Sequence, residues 1–253
     1  MTEPQSPGMT PAADLFFERT GLLLGAEALA TLRSRHVVIA GVGGVGSYAA
    51  EAIARAGVGC ITLLDHDQVA PSNVNRQLVA LRSTVGRPKA EVMAQRIADI
   101  DPEIKVHPLV EFLRPENVAE LVPGDADYVL DCIDSIACKA ALVAGCQGRD
   151  QPVISSMGAG GRIDPTLVRV GLLAETQLCP LARVMRKRLR RLGASLDYPV
   201  VYSLEQPRKG TEHRPLDGPV AGRARSVNGT ISYLPALFGL TAAGWVIREM
   251  IER

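Results

Sequence analysis

Apolar positions in this chain follow two rhythms. Continuous apolar or β-branched runs recur at His36 to Ala40, Cys60 to Leu64, Ile104 to Leu109, Asp127 to Ile133, Pro152 to Ser156 and Pro199 to Leu204. Runs of that length predict strands, and the most apolar of them predict strands buried on both faces of a parallel sheet. Between them the period lengthens. Ala49, Ala50, Ile53 and Ala54 share one helix face, with Glu51 and Arg55 off it. Arg87 to Ile100 repeats this, with Val92, Ile97 and Ile100 inward and Glu91, Gln95 and Arg96 outward. Leu181, Val184, Met185, Leu189 and Leu192 mark the apolar stripe of a helix that Gly193 ends. Ala12 to Arg33 predicts one or two helices, with faces supplied by Leu15, Phe16, Leu22, Leu23 and Leu29 and breaks at Gly21 and Gly25. Pro115 to Val122 predicts a short helix. Strands alternating with helices predict an α/β fold, a mostly parallel sheet with flanking helices. Thr166 to Leu172 predicts a further strand beyond that first sheet.

The first strand runs into Gly41-Val-Gly43-Gly44-Val-Gly46, which satisfies G-x-G-x-x-G, then into the Ala-rich helix and the second strand, which ends in Asp65. Strand, glycine turn, helix, strand and acid make a Rossmann-like nucleotide-binding unit. Gly41 permits the tight turn, Gly43 close approach of backbone to a phosphate, and Gly46 close packing of helix on sheet. Free N–H groups at the helix start face the anion. Asp65 is placed to accept hydrogen bonds from ribose hydroxyls.

The following residues narrow the nucleotide. Ser72-Asn73-Val74-Asn75-Arg76-Gln77 follows Asp65, and Lys89 follows Gly86-Arg87-Pro88. Hydride transfer has no use for such a step, whereas Arg76 and Lys89 are residue types that clamp a triphosphate. The plainer alternative is a solvated loop and a surface helix. Further on, the strand YVLDCI leads to Asp134-Ser135. A carboxylate at a parallel strand's carboxyl end faces the ligand crevice, so Asp134 is placed to hold a hydrated Mg²⁺ against phosphate oxygens. The plainer alternative is that Asp134 or Ser135 caps the next helix; the upstream motifs favour the metal role. Met157 to Pro165 contains three glycines after another strand's carboxyl end, and is expected to line the same crevice.

Composition adds limits. The 253 residues suit one large domain over 14–253, and 1–13 read as a polar, Pro-rich, disordered lead-in without a secretory pattern. The formal net charge of +1 hides an imbalance: Arg183 to Arg225 holds eleven Lys/Arg against four Asp/Glu. Arg183, Arg186, Lys187, Arg188, Arg190 and Arg191 fall on one short helix with no acid among them, which suits a polyanion. Glu205 to Ser226 lacks an apolar period and predicts a mobile loop, so 179–226 combines a basic helix with that loop. The five cysteines form no C-x-x-C pair, which argues against structural zinc, and reduced thiols point to the cytoplasm. Cys179 precedes the basic helix but is read as a core thiol rather than a nucleophile. The run YLPALFGLTAAGWVI is shorter than the ~20 residues of a membrane span, so a buried or dimer-interface helix is expected and no stable membrane insertion.

GxGGVGS…LLDxDxVxxSNxNRQ…K…DCIDS resembles the ThiF/MoeB superfamily of ubiquitin-activating-enzyme-like adenylyltransferases. The resemblance implies that fold, with ATP and Mg²⁺ as cofactors. It implies Gly41, Gly43, Gly44 and Gly46 around the nucleotide, Asp65 on ribose, Asn73, Arg76 and Lys89 on phosphates, and Asp134 on the metal. Arg76, Lys89 and Asp134 would carry catalysis by offsetting charge. Arg19 resembles the superfamily's N-terminal arginine, which reaches into the partner's ATP site of a homodimer. A monovalent cation is a further candidate cofactor, with no residue to assign to it.

The later segments SSMGAGGRIDPTLVRV, CPLARVMRKRLRR, VVYSLEQP and GTISYLPALFGLTAAGWVI resemble the tRNA threonylcarbamoyladenosine dehydratases, the TcdA/CsdL family. That resemblance implies ATP-dependent adenylation of the threonyl carboxylate beside a tRNA anticodon, then cyclisation with net loss of water. It implies RNA contact along the basic helix, and a cysteine desulfurase or sulfur-acceptor system as a further candidate partner. Adenylation of a ubiquitin-like sulfur-carrier protein is the alternative. It shares every ATP residue but usually carries the zinc cysteines missing here.

Overall fold

The computed structural model describes residues 16–208 and 229–252. The lead-in expected over 1–13 and most of the loop expected over Glu205 to Ser226 lie outside these residues.

Seven strands form one sheet in the order β3-β2-β1-β4-β5-β7-β6. They are β1 (His36–Ala40), β2 (Cys60–Leu64), β3 (Lys105–Leu109), β4 (Tyr128–Asp131), β5 (Val153–Ser156), β6 (Val168–Leu172) and β7 (Pro199–Ser203). All neighbours run parallel except β6, which pairs antiparallel with β7. The α/β, mostly parallel expectation therefore holds.

The helices are α1 (Glu18–Leu24), α2 (Ala26–Ser34), α3 (Gly46–Arg55), α4 (Lys89–Ile100), α5 (Val118–Leu121), α6 (Ile136–Gln147), α7 (Pro180–Arg191) and α8 (Tyr233–Glu252). They cover both faces of the sheet, and the strand period of two divides the core. Val37 and Ile39 point to one side, where Ile53 of α3, Met93 and Ile97 of α4 and Phe238 and Val246 of α8 are buried. Val38 and Ala40 point to the other, packed with Leu142 and Val143 of α6 and Met185 and Leu189 of α7. Edge strand β3 is mostly exposed and carries Lys105 and Pro108, which blunt further pairing.

Several sequence expectations are corrected. The strand at Val168–Leu172 lies in the same sheet, as its far edge, rather than beyond it. The chain reverses after β5 through the Met157 to Pro165 turn, so β6 must run antiparallel, and β7 then fills the gap. Of the three glycines in that turn only Gly161 has a positive φ, +73°. Gly21 sits inside α1, and only Gly25, at φ +87°, breaks the N-terminal helices. Leu22 and Leu23 are each 82% exposed, so α1 presents an apolar surface instead of burying one. On α7 the buried residues are Ala182, Met185 and Leu189, whereas Val184 and Leu192 are exposed. Helix α8 has 20 residues and is long and apolar enough by length and composition to cross a membrane. Its Leu234, Phe238, Ala242 and Val246 are nevertheless buried in the core.

Candidate functional site

Strand order reverses between β1 and β4, and an open α/β sheet leaves its ligand crevice beyond the carboxyl ends of the strands at such a point. The glycine turn occupies it. Gly41 has φ +89° and donates its N–H to Leu64 O at 2.7 Å. A Cβ on Gly41 would lie 2.9 Å from Cys132 O, and one on Gly46 would lie 1.7 Å from Gly41 O. Neither position admits a side chain, so the turn closes tightly onto the start of α3 and against the β4–α6 loop. Gly43 and Gly44 lie between them. A Cβ on Gly44 would be 3.5 Å from Arg76 Cγ, which places Arg76 against the turn.

Asp65 ends β2 as expected and is buried. Its Oδ2 accepts the Val42 N–H at 2.7 Å and its Oδ1 accepts the Asp67 N–H at 2.8 Å, so it also braces the glycine turn. Burial pushes the Asp65 carboxyl above the usual carboxylate range, opposed by Lys89 and these two N–H donors. Asn73 is buried at the end of a short turn, with its Oδ1 accepting the Ala70 N–H at 3.0 Å. Arg76 is half-buried; its Nη1 donates to Ser72 O and Asn75 Oδ1, each at 3.0 Å. Burial alone moves its pKa, downward, and no carboxylate pairs with it among the described residues. A half-buried guanidinium without an anion is costly, and an anionic ligand removes that cost.

Lys89 opens α4 and is buried, but its Nζ lies 2.8 Å from Asp67 Oδ2. The structure thus shows Lys89 in a carboxylate pair. Asp65, His66 and Asp67 bring ligand atoms within 4.8 Å of one another, a group to which Lys89 already supplies a cation. Asp134 is exposed in the β4–α6 loop, three residues beyond the end of β4. Asp65 and Arg76 thus meet at the glycine turn and Lys89 stands near Asp65, whereas Arg19 does not join them. It is exposed on α1 and forms no hydrogen bond or ion pair with any of them. A separate cavity of about 520 Å³, lined in part by Tyr128, Tyr198 and Trp245, lies at the amino ends of β4, β5 and β7, away from this crevice.

The ThiF family model matches residues 17–252. The chain belongs to the ThiF family. Among similar proteins, tRNA threonylcarbamoyladenosine dehydratase of Bacillus subtilis is 40% identical over 243 residues, 93% of this chain and 94% of that one. The fold matches the crystal structure of Escherichia coli tRNA N6-threonylcarbamoyladenosine dehydratase, TcdA, in complex with AMP at a TM-score of 0.87 and 39% identity, covering 98% of each chain. The match to the same protein in complex with ATP has a TM-score of 0.86. By contrast, the molybdopterin-synthase adenylyltransferase of E. coli is 40% identical over only 140 residues, 55% of this chain. Within the ThiF family this chain stands with the dehydratases.

Three residues of this ThiF-family site escaped the sequence reading. Ser47 is fully buried; its Oγ donates to Gly43 O at 2.6 Å and accepts the Leu78 N–H at 3.2 Å. It ties the glycine turn to the segment carrying Asn73 and Arg76. The serine closing GxGGVGS was the available signal. Gln77 is buried beside Gly43, and its Oε1 has no hydrogen-bond partner among the described residues. Lys139, fully buried on α6, pairs with Asp131 at the end of β4, and Ser155 Oγ donates to the same carboxylate oxygen at 2.6 Å. Cys179 is buried in the core at the start of α7, in keeping with its reading as a core thiol.

Proposed function

We propose that this protein is an ATP-dependent tRNA threonylcarbamoyladenosine dehydratase. The observation that carries the reading is the half-buried, carboxylate-free Arg76 against the glycine turn, in a chain similar to such dehydratases over nearly its full length. The α3 N-terminus and Arg76 hold the triphosphate, Asn73 orients it, and Asp65 accepts from the ribose. Lys89 leaves Asp67, or shares it, to meet a phosphate. A threonyl carboxylate oxygen of the modified adenosine attacks the α-phosphorus, forming the acyl-adenylate as pyrophosphate leaves. A nitrogen or oxygen of the same modification then attacks the acyl carbon. AMP departs with the former carboxylate oxygen, a proton is lost, and the balance is one water removed from the base. Ring closure is intramolecular, so positioning suffices and no protein nucleophile is required.

Asp134 suits a hydrated Mg²⁺, which takes one or two carboxylates plus substrate phosphates and keeps its other waters. Its exposure at the crevice mouth leaves room for them. Bound there, the ion would neutralise charge on the phosphates. A homodimer fits the exposed Leu22 and Leu23 of α1, which a second copy would cover while bringing Arg19 to its ATP site. The five free cysteines and a tRNA substrate fit a cytoplasmic location. The chemistry consumes no sulfur, so a desulfurase is not needed for turnover, and no described residue is assigned to a monovalent cation.

The test is mass spectrometry of nucleosides after incubating the protein with ATP, Mg²⁺ and tRNA bearing threonylcarbamoyladenosine. The expected result is loss of one water from that base, dependent on ATP and reduced by about 10²- to 10³-fold in Arg76→Ala. Unchanged nucleoside, with adenylation of a sulfur-carrier C-terminus instead, would overturn it.

A further inference from the structure

The cavity of about 520 Å³ at the amino ends of β4, β5 and β7 takes no part in the chemistry proposed above. Its size is that of a small-molecule site. Tyr128 at the start of β4, Asp150 after α6, Asp197 and Tyr198 before β7, and Trp245 and Glu249 of α8 all face it.

Two features of this lining fix the character of a ligand. One is ring surface. Trp245 Nε1 donates to the Tyr128 hydroxyl at 3.2 Å, which holds these two rings together. Tyr198 is buried and its hydroxyl donates to Ser155 Oγ at 3.2 Å, so the hydroxyl is engaged in the core and the cavity meets the ring. The Arg248 guanidinium lies 5.4 Å from the centre of the Trp245 ring, so this indole already attracts a cation.

The other feature is charge. Three carboxylates line the cavity, and no Lys, Arg or His does. Asp150 and Asp197 are exposed and form no ion pair among the described residues. Carboxylates around one concavity repel each other and any anion, and a cation between them relieves that repulsion. A single metal ion does not match their arrangement. Among the described residues only Asp65, His66 and Asp67 bring three such ligand atoms within 4.8 Å of one another, so the carboxylates of Asp150, Asp197 and Glu249 do not converge on one point. Separated carboxylates among aromatic rings suit an extended ligand instead, with cationic groups spaced along an apolar chain.

We infer that this cavity is a binding site for a linear alkyl polyamine. Its ammonium groups pair with Asp150, Asp197 and Glu249, and its methylenes lie on Tyr128, Tyr198 and Trp245.

Trp245 is the chain's single tryptophan, so its fluorescence reports on the cavity directly. The experiment titrates the protein, without ATP or tRNA and at low salt, with spermidine, following fluorescence and heat together. A saturable response with one midpoint is expected. 1,8-Octanediol, of similar length but uncharged, should give none. D150N/D197N/E249Q should raise the spermidine midpoint roughly tenfold or more, in line with the loss of three partly exposed ion pairs. E103Q/E116Q/E120Q removes the same charge from exposed positions around β3 and α5 and should leave the midpoint unchanged. Circular-dichroism melts check that both variants fold. Absence of heat and fluorescence change with spermidine overturns the inference. So does an equal rise in midpoint in the two triple variants, which would mark general attraction to acidic surface. Octanediol binding as well as spermidine would overturn it too, because the cavity would then have no preference for a cation.

Discussion

Lys139 Nζ lies 2.8 Å from Asp131 Oδ2, and both side chains are completely buried. Lys139 also donates to Asp131 O at 3.2 Å, while Asp131 Oδ1 accepts the Ile133 N–H at 3.2 Å. Burial drives the Asp131 carboxyl upward; the Lys139 ammonium, the Ser155 hydroxyl and the Ile133 N–H oppose it. The pair thus fastens the start of the Cys132-Ile133-Asp134 loop to α6. Truncating one partner leaves a buried uncompensated charge, so Lys139→Met should cost about 3–5 kcal/mol. The double variant Asp131→Leu with Lys139→Met should cost clearly less. Urea denaturation of the singles and the double decides it: additive losses would show that the two groups do not act as a pair.

Asp65 gives a pH prediction. Its carboxyl lies above the usual range, chiefly through burial, with Lys89 and two backbone N–H groups pulling the other way. A raised folded pKa means that the empty folded state holds this proton more tightly than the unfolded chain does. At this site its stability is therefore greatest below the unfolded value and declines as pH rises through the folded one. ATP works in the opposite sense, because ribose hydroxyls donate to the ionised carboxylate. The rise in Tm caused by ATP should shrink on acidification, beginning at a higher pH than an exposed aspartate would give. Asp65→Asn should flatten that dependence. A rise in Tm that is independent of pH in the wild type would remove Asp65 from the ribose.

The fold and half of the site were legible because their determinants are local. β1 and β2 announce themselves as apolar runs, and Gly41 and Gly46 stand where any side chain would strike backbone. What escaped depends on contacts between distant segments. Ser47 matters through Leu78, 31 residues on, and Lys139 is buried only because β4 and α6 converge on it. The direction of β6 was hidden for the same reason. Its reversal is held by Glu205 Oε2, which accepts the N–H groups of Ile163 and Asp164, each at 2.8 Å. The sequence groups Arg186 with five other cations that suit a polyanion, although it turns inward onto Thr176 O, because composition does not say which of six basic residues does so.

The thiols supply a third test. Burial pushes the Cys132 thiol up to about 12 and the Cys146 thiol up to about 11. At pH 8 their thiolate fractions are then of order 10⁻⁴ and 10⁻³, too small for rapid alkylation. Iodoacetamide should leave both unmodified in the native protein and label all five cysteines after unfolding, as read by peptide mass spectrometry. Cys179→Ala should retain dehydratase activity, since cyclisation needs no thioester. Loss of turnover in that variant, with tRNA and ATP binding intact, would restore Cys179 as a nucleophile.

Gln77 supports a prediction in which stability and binding move in opposite directions. Its side chain is buried next to Gly43, and Oε1 has no partner among the described residues. An unsatisfied buried acceptor costs about 1–3 kcal/mol, so replacing the amide with an apolar group of similar size should stabilise the empty protein. Gln77→Leu should therefore raise the Tm of the protein alone. If the amide is kept for a ligand donor at the glycine turn, the same change should weaken ATP, because a hydroxyl or amino group of the nucleotide then loses its acceptor. The expected outcome is a more stable protein with an ATP Kd raised roughly tenfold, the equivalent of about 1.4 kcal/mol. Calorimetry and ATP titration on one preparation read both quantities. Higher stability with unchanged ATP affinity would leave the unpaired oxygen as a packing cost alone. Lower stability would show that the Gln77 side chain supports the Asn73–Arg76 segment directly.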